Sequence, residues 1–203
     1  VLGSAACQPT DAPPPNYGAD WPAVTADSLV HAVIEIPSGT TAKWMVNKDG
    51  RGLRWERENG ARRVIRYLGY PANYGIVPQT LLPRSAGGDG DPVDIVVLGD
   101  ALERGTVVPV RLIGVLRLID RGEQDDKLIA VRPGAPLGAV RSIVALDAQF
   151  PGITSILATW FTHYKGAGEV ESEGYGSPAA AWSMVSRAQR AYARLKADSL
   201  ANN

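Results

Sequence analysis

The chain has 203 residues, 45% of them hydrophobic and 21% charged, with 21 basic residues balancing 21 acidic ones. That length suits one domain with a sizeable core, and zero net charge argues against a protein whose main task is gripping nucleic acid or an anionic membrane. A single cysteine, Cys7, excludes an internal disulfide and a cysteine-rich zinc site, and no apolar run reaches the roughly 18 residues that span a bilayer.

Residues 1–28 pass from small residues to a Pro-rich stretch and read as a flexible tail. The small residues before Cys7 also fit the end of an export signal with a lipid-attached cysteine. A basic start and a full apolar stretch are missing, and Ser4 stands where such a signal usually carries leucine. A cytoplasmic and an exported, lipid-anchored protein therefore both stand as readings. A single domain is expected over 29–199, with 200–203 as a second tail.

VHAVIEIP (30–37) reads as a strand stopped by Pro37, and AKWMV (42–46) as a second, closed by the turn NKDG. GLRWERENG and RRVIRYL form a predicted hairpin with ENG as its turn. YPANYGIVPQTLLPR (70–84) mixes Pro, Gly and aromatics, and reads as an ordered loop with short strands. VDIVVLG (93–99) is apolar without alternation, the pattern of a strand buried on both faces. TVVPVRLIGVLRLID (106–120) is a long β run expected to bend near Gly114, and DKLIAVRP (126–133) follows it. No helix separates these strands, which favours a closed or strongly coiled antiparallel barrel. Two helices come late. In 152–164, Ile153, Ile156, Leu157, Trp160, Phe161 and Tyr164 recur at three and four. The last begins at SPAAAW, with Ser177 as N-cap and Pro178 in the first turn.

The chemistry concentrates in acids. Asp89, Asp91 and Asp94 crowd into GGDGDPVD at the mouth of the buried strand. Like charges so close raise one another's pKa unless a cation offsets them. A solvated acidic turn is the plain alternative; an EF-hand loop fits poorly, because Pro92 falls mid-loop and Asp94 stands where a glycine belongs. Asp120, Glu123, Asp125 and Asp126 lie in a turn between two strong strands, and Glu35 sits inside an apolar one, where burial is costly without a partner. All are oxygen donors, suited to hard divalent ions, chiefly Mg²⁺. Lys43, Arg62, Arg63, Lys127 and Lys165, with Tyr70, Tyr74 and Tyr164, supply what a phosphate substrate needs beside such ions. His163 reads as structural.

The chain resembles the soluble family I inorganic pyrophosphatases from about His31 to Gly176. VIEIPSG, Lys43, YPANYG (70–75), DGDPVD (89–94), the run from Asp120 through Asp125 to Lys127, and HYK (163–165) carry the likeness in order. The resemblance implies an α+β, mainly β, fold: a five-stranded OB-like closed barrel flanked by two C-terminal helices and short additional strands and loops. It implies hydrolysis of pyrophosphate to two phosphates by metal-activated water, with several Mg²⁺ per site. By the same likeness Asp89, Asp94, Asp120 and Asp125 are metal ligands, with Glu35 in the outer shell or on a further ion. Asp91 is the general base and Tyr74 supports the metal-bound carboxylates. Lys43, Lys127, Tyr164, Lys165 and an arginine, Arg63 in preference to Arg62, bind phosphate. Met45 departs from the pattern, standing where many members carry glutamate; the chain either does without that group or borrows Glu56 or Glu58.

A homo-oligomer, a hexamer by resemblance, and a cytoplasmic location are expected, with no nucleic-acid partner and no transmembrane segment. The alternative to an enzyme is a non-catalytic metal- or polyanion-binding module on the same barrel.

Overall fold

Short β-branched runs separated by turns give this chain its architecture, seen here in a computed structural model that describes residues 13–84 and 88–201. Among the described residues the elements run β1 (Val30–Ile36), β2 (Trp44–Val46), β3 (Leu53–Trp55), β4 (Arg57–Glu58), β5 (Ala61–Arg62), β6 (Asn73–Ile76) and β7 (Asp94–Leu98). Then follow β8 (Val107–Asp120), β9 (Glu123–Gln124), β10 (Lys127–Val131), α1 (Ile143–Gln149), α2 (Ile153–His163), β11 (Val170–Gly176) and α3 (Pro178–Ala201).

Five strands close a ring. β1 pairs with β6, β6 with β7, β7 with β10, β10 with β8, and β8 returns to β1. The closure depends on the length of β8. Its first residues, Val107 to Val110, pair with β1; Arg111 to Leu116 pair with β10; Val115 to Asp120 pair with β11. The register slips between Ile129 and Ala130, opposite Gly114. A bulge there sharpens the coil of a 14-residue strand. A side chain at Gly114 would meet Ile143 and the Gly176 carbonyl at 2.5 and 2.7 Å, so only glycine fits. The barrel is the expected one with a single change: β7 and β10 run parallel. The antiparallel return through β8 turns the chain round once more, so β10 follows the direction of β7.

Alternate residues of each strand feed two apolar clusters. Val96, Leu98, Ile113, Leu116 and Ile129 pack with Leu146, Leu157, Trp160 and Phe161 of α1 and α2. Ile95, Val97, Leu112, Leu128 and Ala130 pack with Ala181, Val185 and Ala188 of α3. Strand β7 is thus buried on both faces, as its continuous apolar run requires.

Both late helices form where the periodicity puts them, and the Ser177 hydroxyl accepts from the Ala180 amide at 3.2 Å. Two further elements escape the sequence pattern. Helix α1 is short and capped by Ser142, and VESEGYG forms β11 although its Glu and Gly are poor strand formers; pairing with the far end of β8 supplies what propensity lacks. Of RRVIRYL only Arg62 joins the hairpin, in β5; Val64 then bridges Ala42, with the Val64 and Leu68 side chains exposed.

The tail reading of 1–28 needs correction from residue 13 onward. Tyr17 stacks on Trp21 and is buried, Ala23 is buried, and the Tyr192 hydroxyl donates to the Gly18 carbonyl at 3.0 Å. Aromatic area outweighs the low-complexity appearance of the stretch. Cys7, proposed as a lipid-attachment site, lies outside the described residues. Among the described residues no helix is long and apolar enough to cross a membrane.

Candidate active site

Strand register assembles the centre of the site. In the parallel pair, Leu128 lies opposite Ile95. The preceding residues, Lys127 and Asp94, are therefore neighbours at the ends of two core strands. The Lys127 ammonium, 3% exposed, donates to Asp94 Oδ2 at 2.5 Å and also to Asp125 Oδ1. Burial opposes its charge, but the two carboxylates more than offset that and hold its pKa far above the usual lysine value. Asp94 goes the other way. Burial raises its pKa, yet Lys127, Lys43 and Tyr74 together bring it below the ordinary carboxylate value. Tyr74, on β6 one strand away, lies under the Lys43 ammonium, 4.5 Å from the ring centroid.

Glu35 approaches from β1. It is 4% exposed, and its Oε1 accepts the Val46 amide at 2.6 Å. Burial pushes its pKa from 4.5 up to about 7, against Lys43 and the Val46 amide and with help from Asp94 and Asp91. Asp120 comes from the end of β8 and Lys165 from just beyond α2, where the Lys165 ammonium donates to Asp120 Oδ2. Tyr164, the C-cap of α2, stacks on Trp160 at 4.5 Å and 9°. Asp89 and Asp91 sit on the exposed loop before β7, where the Asp91 amide donates to Asp89 Oδ1 at 2.9 Å. Partial desolvation raises the Asp91 carboxyl, Asp89 and Asp94 push the same way, and Arg84 and Lys48 pull it down.

Arg63 follows β5 and is paired with Glu56, Nη1 lying 3.1 and 3.3 Å from its two oxygens. Arg62 instead lies over the Trp55 ring, 4.9 Å from its centroid. The metal, base and phosphate residues assigned by resemblance (Glu35, Lys43, Arg63, Tyr74, Asp89, Asp91, Asp94, Asp120, Asp125, Lys127, Tyr164 and Lys165) line one open cleft of about 750 Å³, whereas Arg62, Tyr70, Glu123 and Asp126 do not. His163 lies outside it, its Nδ1 2.8 Å from the Thr159 carbonyl. A smaller groove of about 390 Å³ against α3 is lined by Asp126 but by none of the assigned metal, base and phosphate residues.

The structure adds walls that local sequence did not mark. Lys48, Arg84, Asn16, Gly18 and Ala19 line the cleft, and nothing in their spacing separates them from ordinary surface residues. Asn73, in the NYG stretch, has a structural task. Fully buried, it accepts from the Ser38 and Leu102 amides and donates to the Val97 and Asp100 carbonyls, pinning two loops to β7.

The donor set fits a hard cation. Asp89, Asp94, Asp120, Asp125 and Glu35 offer oxygen alone, and Asp120 Oδ1 is buried without a hydrogen-bond partner. Among the described residues no three acidic, histidine or cysteine side chains already form a closed cage. Lys127 bridges Asp94 and Asp125, and Lys165 pairs with Asp120, so the ammonium groups neutralise the carboxylates that would hold an ion.

A closed five-stranded barrel with outer helices and a cleft of carboxylates, lysines and tyrosines at its mouth defines the class: an OB-like barrel whose site suits hard cations and oxyanions. A family model described as inorganic pyrophosphatase matches residues 32–193, and the chain belongs to that family. It is 33% identical over 158 residues to the mitochondrial inorganic pyrophosphatase of Saccharomyces cerevisiae, covering 68% of this chain and 51% of that one. It is 36% identical over 138 residues to the inorganic pyrophosphatase of Campylobacter jejuni, covering 67% and 74%. The solved inorganic pyrophosphatase of Schistosoma japonicum superposes with a TM-score of 0.83 at 28% identity, over 89% of this chain and 72% of that one. The chain spans about half the length of the yeast relative.

Proposed function

We propose that this chain hydrolyses inorganic pyrophosphate to two phosphates and needs Mg²⁺ to do so. One observation carries the reading: carboxylates, lysines and tyrosines far apart in sequence line a single cleft. Family membership supports it, and the family resemblance implies metal dependence in general.

In this reading Asp89, Asp94, Asp120 and Asp125 hold the ions and Glu35 supports them. When bound, Mg²⁺ neutralises phosphate charge and lowers the pKa of water from about 15.7 toward neutrality. The protein's own groups do the rest. Asp91 takes the proton of the attacking water; its raised pKa moves it toward the working range of a general base. Lys43, Arg63, Lys127, Tyr164 and Lys165 bind phosphate oxygens and hold the negative charge on the leaving phosphate. Tyr74 keeps Asp94 in place and ionised.

The test is phosphate release from pyrophosphate, with millimolar Mg²⁺ and again with excess chelator. Release that requires the metal is expected. No release with any divalent ion would favour the non-catalytic binding module instead. An assembly of identical chains in the cytoplasm belongs to the same reading. Light scattering tests the assembly, where a monomeric mass would remove it, and cell fractionation tests the compartment.

A further inference from the structure

We infer that Glu56 is a positioning residue that aims Arg63 at the substrate; this rests on the reading above that Arg63 binds phosphate. Arg63 is delivered by a two-stranded ribbon, and its long side chain carries roughly 2 kcal/mol of rotamer entropy that something must restrain. The ribbon's backbone places three cleft residues side by side. The Glu56 amide donates to the Lys43 carbonyl at 2.8 Å, the Arg63 amide to the Glu56 carbonyl at 2.9 Å, and the Lys43 amide to the Arg63 carbonyl at 3.2 Å. Glu56 thus stands between two cations, and both its oxygens face Arg63 Nη1 at 3.1 and 3.3 Å.

That contact engages one terminal nitrogen, and among the described residues no hydrogen bond engages Nη2, which is left to meet a ligand. Among the described residues no other carboxylate offers the same restraint. Glu58 Oε1 is 3.9 Å from Nε and its side chain is 63% exposed, and Met45, in the neighbouring strand, has no acceptor to offer. The Glu56–Arg63 side chains are only 26% and 22% exposed, yet a pair in contact with solvent adds little stability. Its value lies in orientation: a guanidinium misplaced by about 1 Å can lose most of its catalytic benefit.

The experiment compares Glu56→Ala, Glu56→Gln, Arg63→Ala and the double variant Glu56→Ala/Arg63→Ala in Mg²⁺-dependent pyrophosphate hydrolysis, with thermal unfolding alongside. Glu56→Ala should raise KM about tenfold and change kcat about threefold at most, the pattern of lost binding. Glu56→Gln, which keeps an acceptor oxygen, should fall between it and the native chain. The double variant should be no worse than Arg63→Ala alone, because Glu56 acts through Arg63. Unfolding midpoints should stay near native.

Unchanged or lowered KM in both Glu56 variants, with Arg63→Ala impaired, would overturn the positioning role and leave the phosphate role of Arg63 intact. An unimpaired Arg63→Ala would overturn the phosphate reading itself, and the inference with it.

Discussion

Two regions of the molecule furnish charge to the same cleft by different means. Asp94 and Lys127 project from β7 and β10, core strands buried on both faces, and their contact follows from strand register. Lys43, Glu56 and Arg63 come from a ribbon outside the barrel ring, braced by a Trp44–Trp55 pair at 5.5 Å, with Arg104 over Trp44 and Arg62 over Trp55. Core strands hold a group rigidly but force its charge out of water, so pKa values move far. A ribbon keeps its charges partly solvated and relies on stacking and hydrogen bonds to hold their direction. Burial fixes the first set; local pairing must fix the second.

That contrast orders the expected effects of mutation. Asp94→Asn removes a partly buried charge from the core set and should cut pyrophosphate turnover about a thousandfold or more. A loss no greater than that of a ribbon variant would break the contrast. Asp91→Asn should lower kcat about a hundred- to a thousandfold while calorimetry shows Mg²⁺ binding largely retained; unchanged hydrolysis would remove Asp91 as the base. Lys127→Met leaves Asp94 and Asp125, both only partly exposed, without the buried ammonium they share. It should cost about 3–5 kcal/mol of stability in chelator, partly regained with Mg²⁺, as read by urea unfolding under both conditions.

Glu35 gives the core set a pH signature. Its folded pKa of about 7 lies above the ordinary 4.5. Between those values the folded chain binds more protons than the unfolded one, so this contribution weakens as pH rises through the window, by up to about 3 kcal/mol. In chelator, Glu35→Gln should be more stable than the native chain at pH 8 and should show a flatter dependence from pH 5 to 8. An unchanged slope would show that Glu35 titrates normally. The smallest effect belongs to the ribbon. Trp55→Phe keeps the stack but loses the indole N–H bond to the Arg63 carbonyl, 2.8 Å long, and should cost about 1 kcal/mol. A loss as large as that of Lys127→Met would mean the ribbon is as tightly coupled as the barrel.

Legibility in the sequence tracks how local each feature is. Four barrel strands, β1, β7, β8 and β10, declared themselves through apolar runs, while β6 lay in a stretch read as a loop with short strands; ENG marked a turn that the structure builds with Asn59 and Gly60 at φ of 50° and 79°. Strand β11 could not be read, because VESEGYG acquires its conformation from the far end of β8. The packing of residues 13–28 was equally hidden, since the surfaces that receive Tyr17 and Gly18 come from other parts of the chain.

The amino-acid sequence alone determined which groups the cleft has to work with: acids clustered at a strand mouth and in a turn, with lysines, arginines and tyrosines in a recognisable order. Only tertiary structure decided who meets whom. A one-residue shift between β7 and β10 would part Lys127 from Asp94, and the path of the ribbon alone sends Arg63 into the cleft and Arg62 onto Trp55. Such choices depend on register and packing between segments far apart along the chain, and no local pattern of residues encodes them.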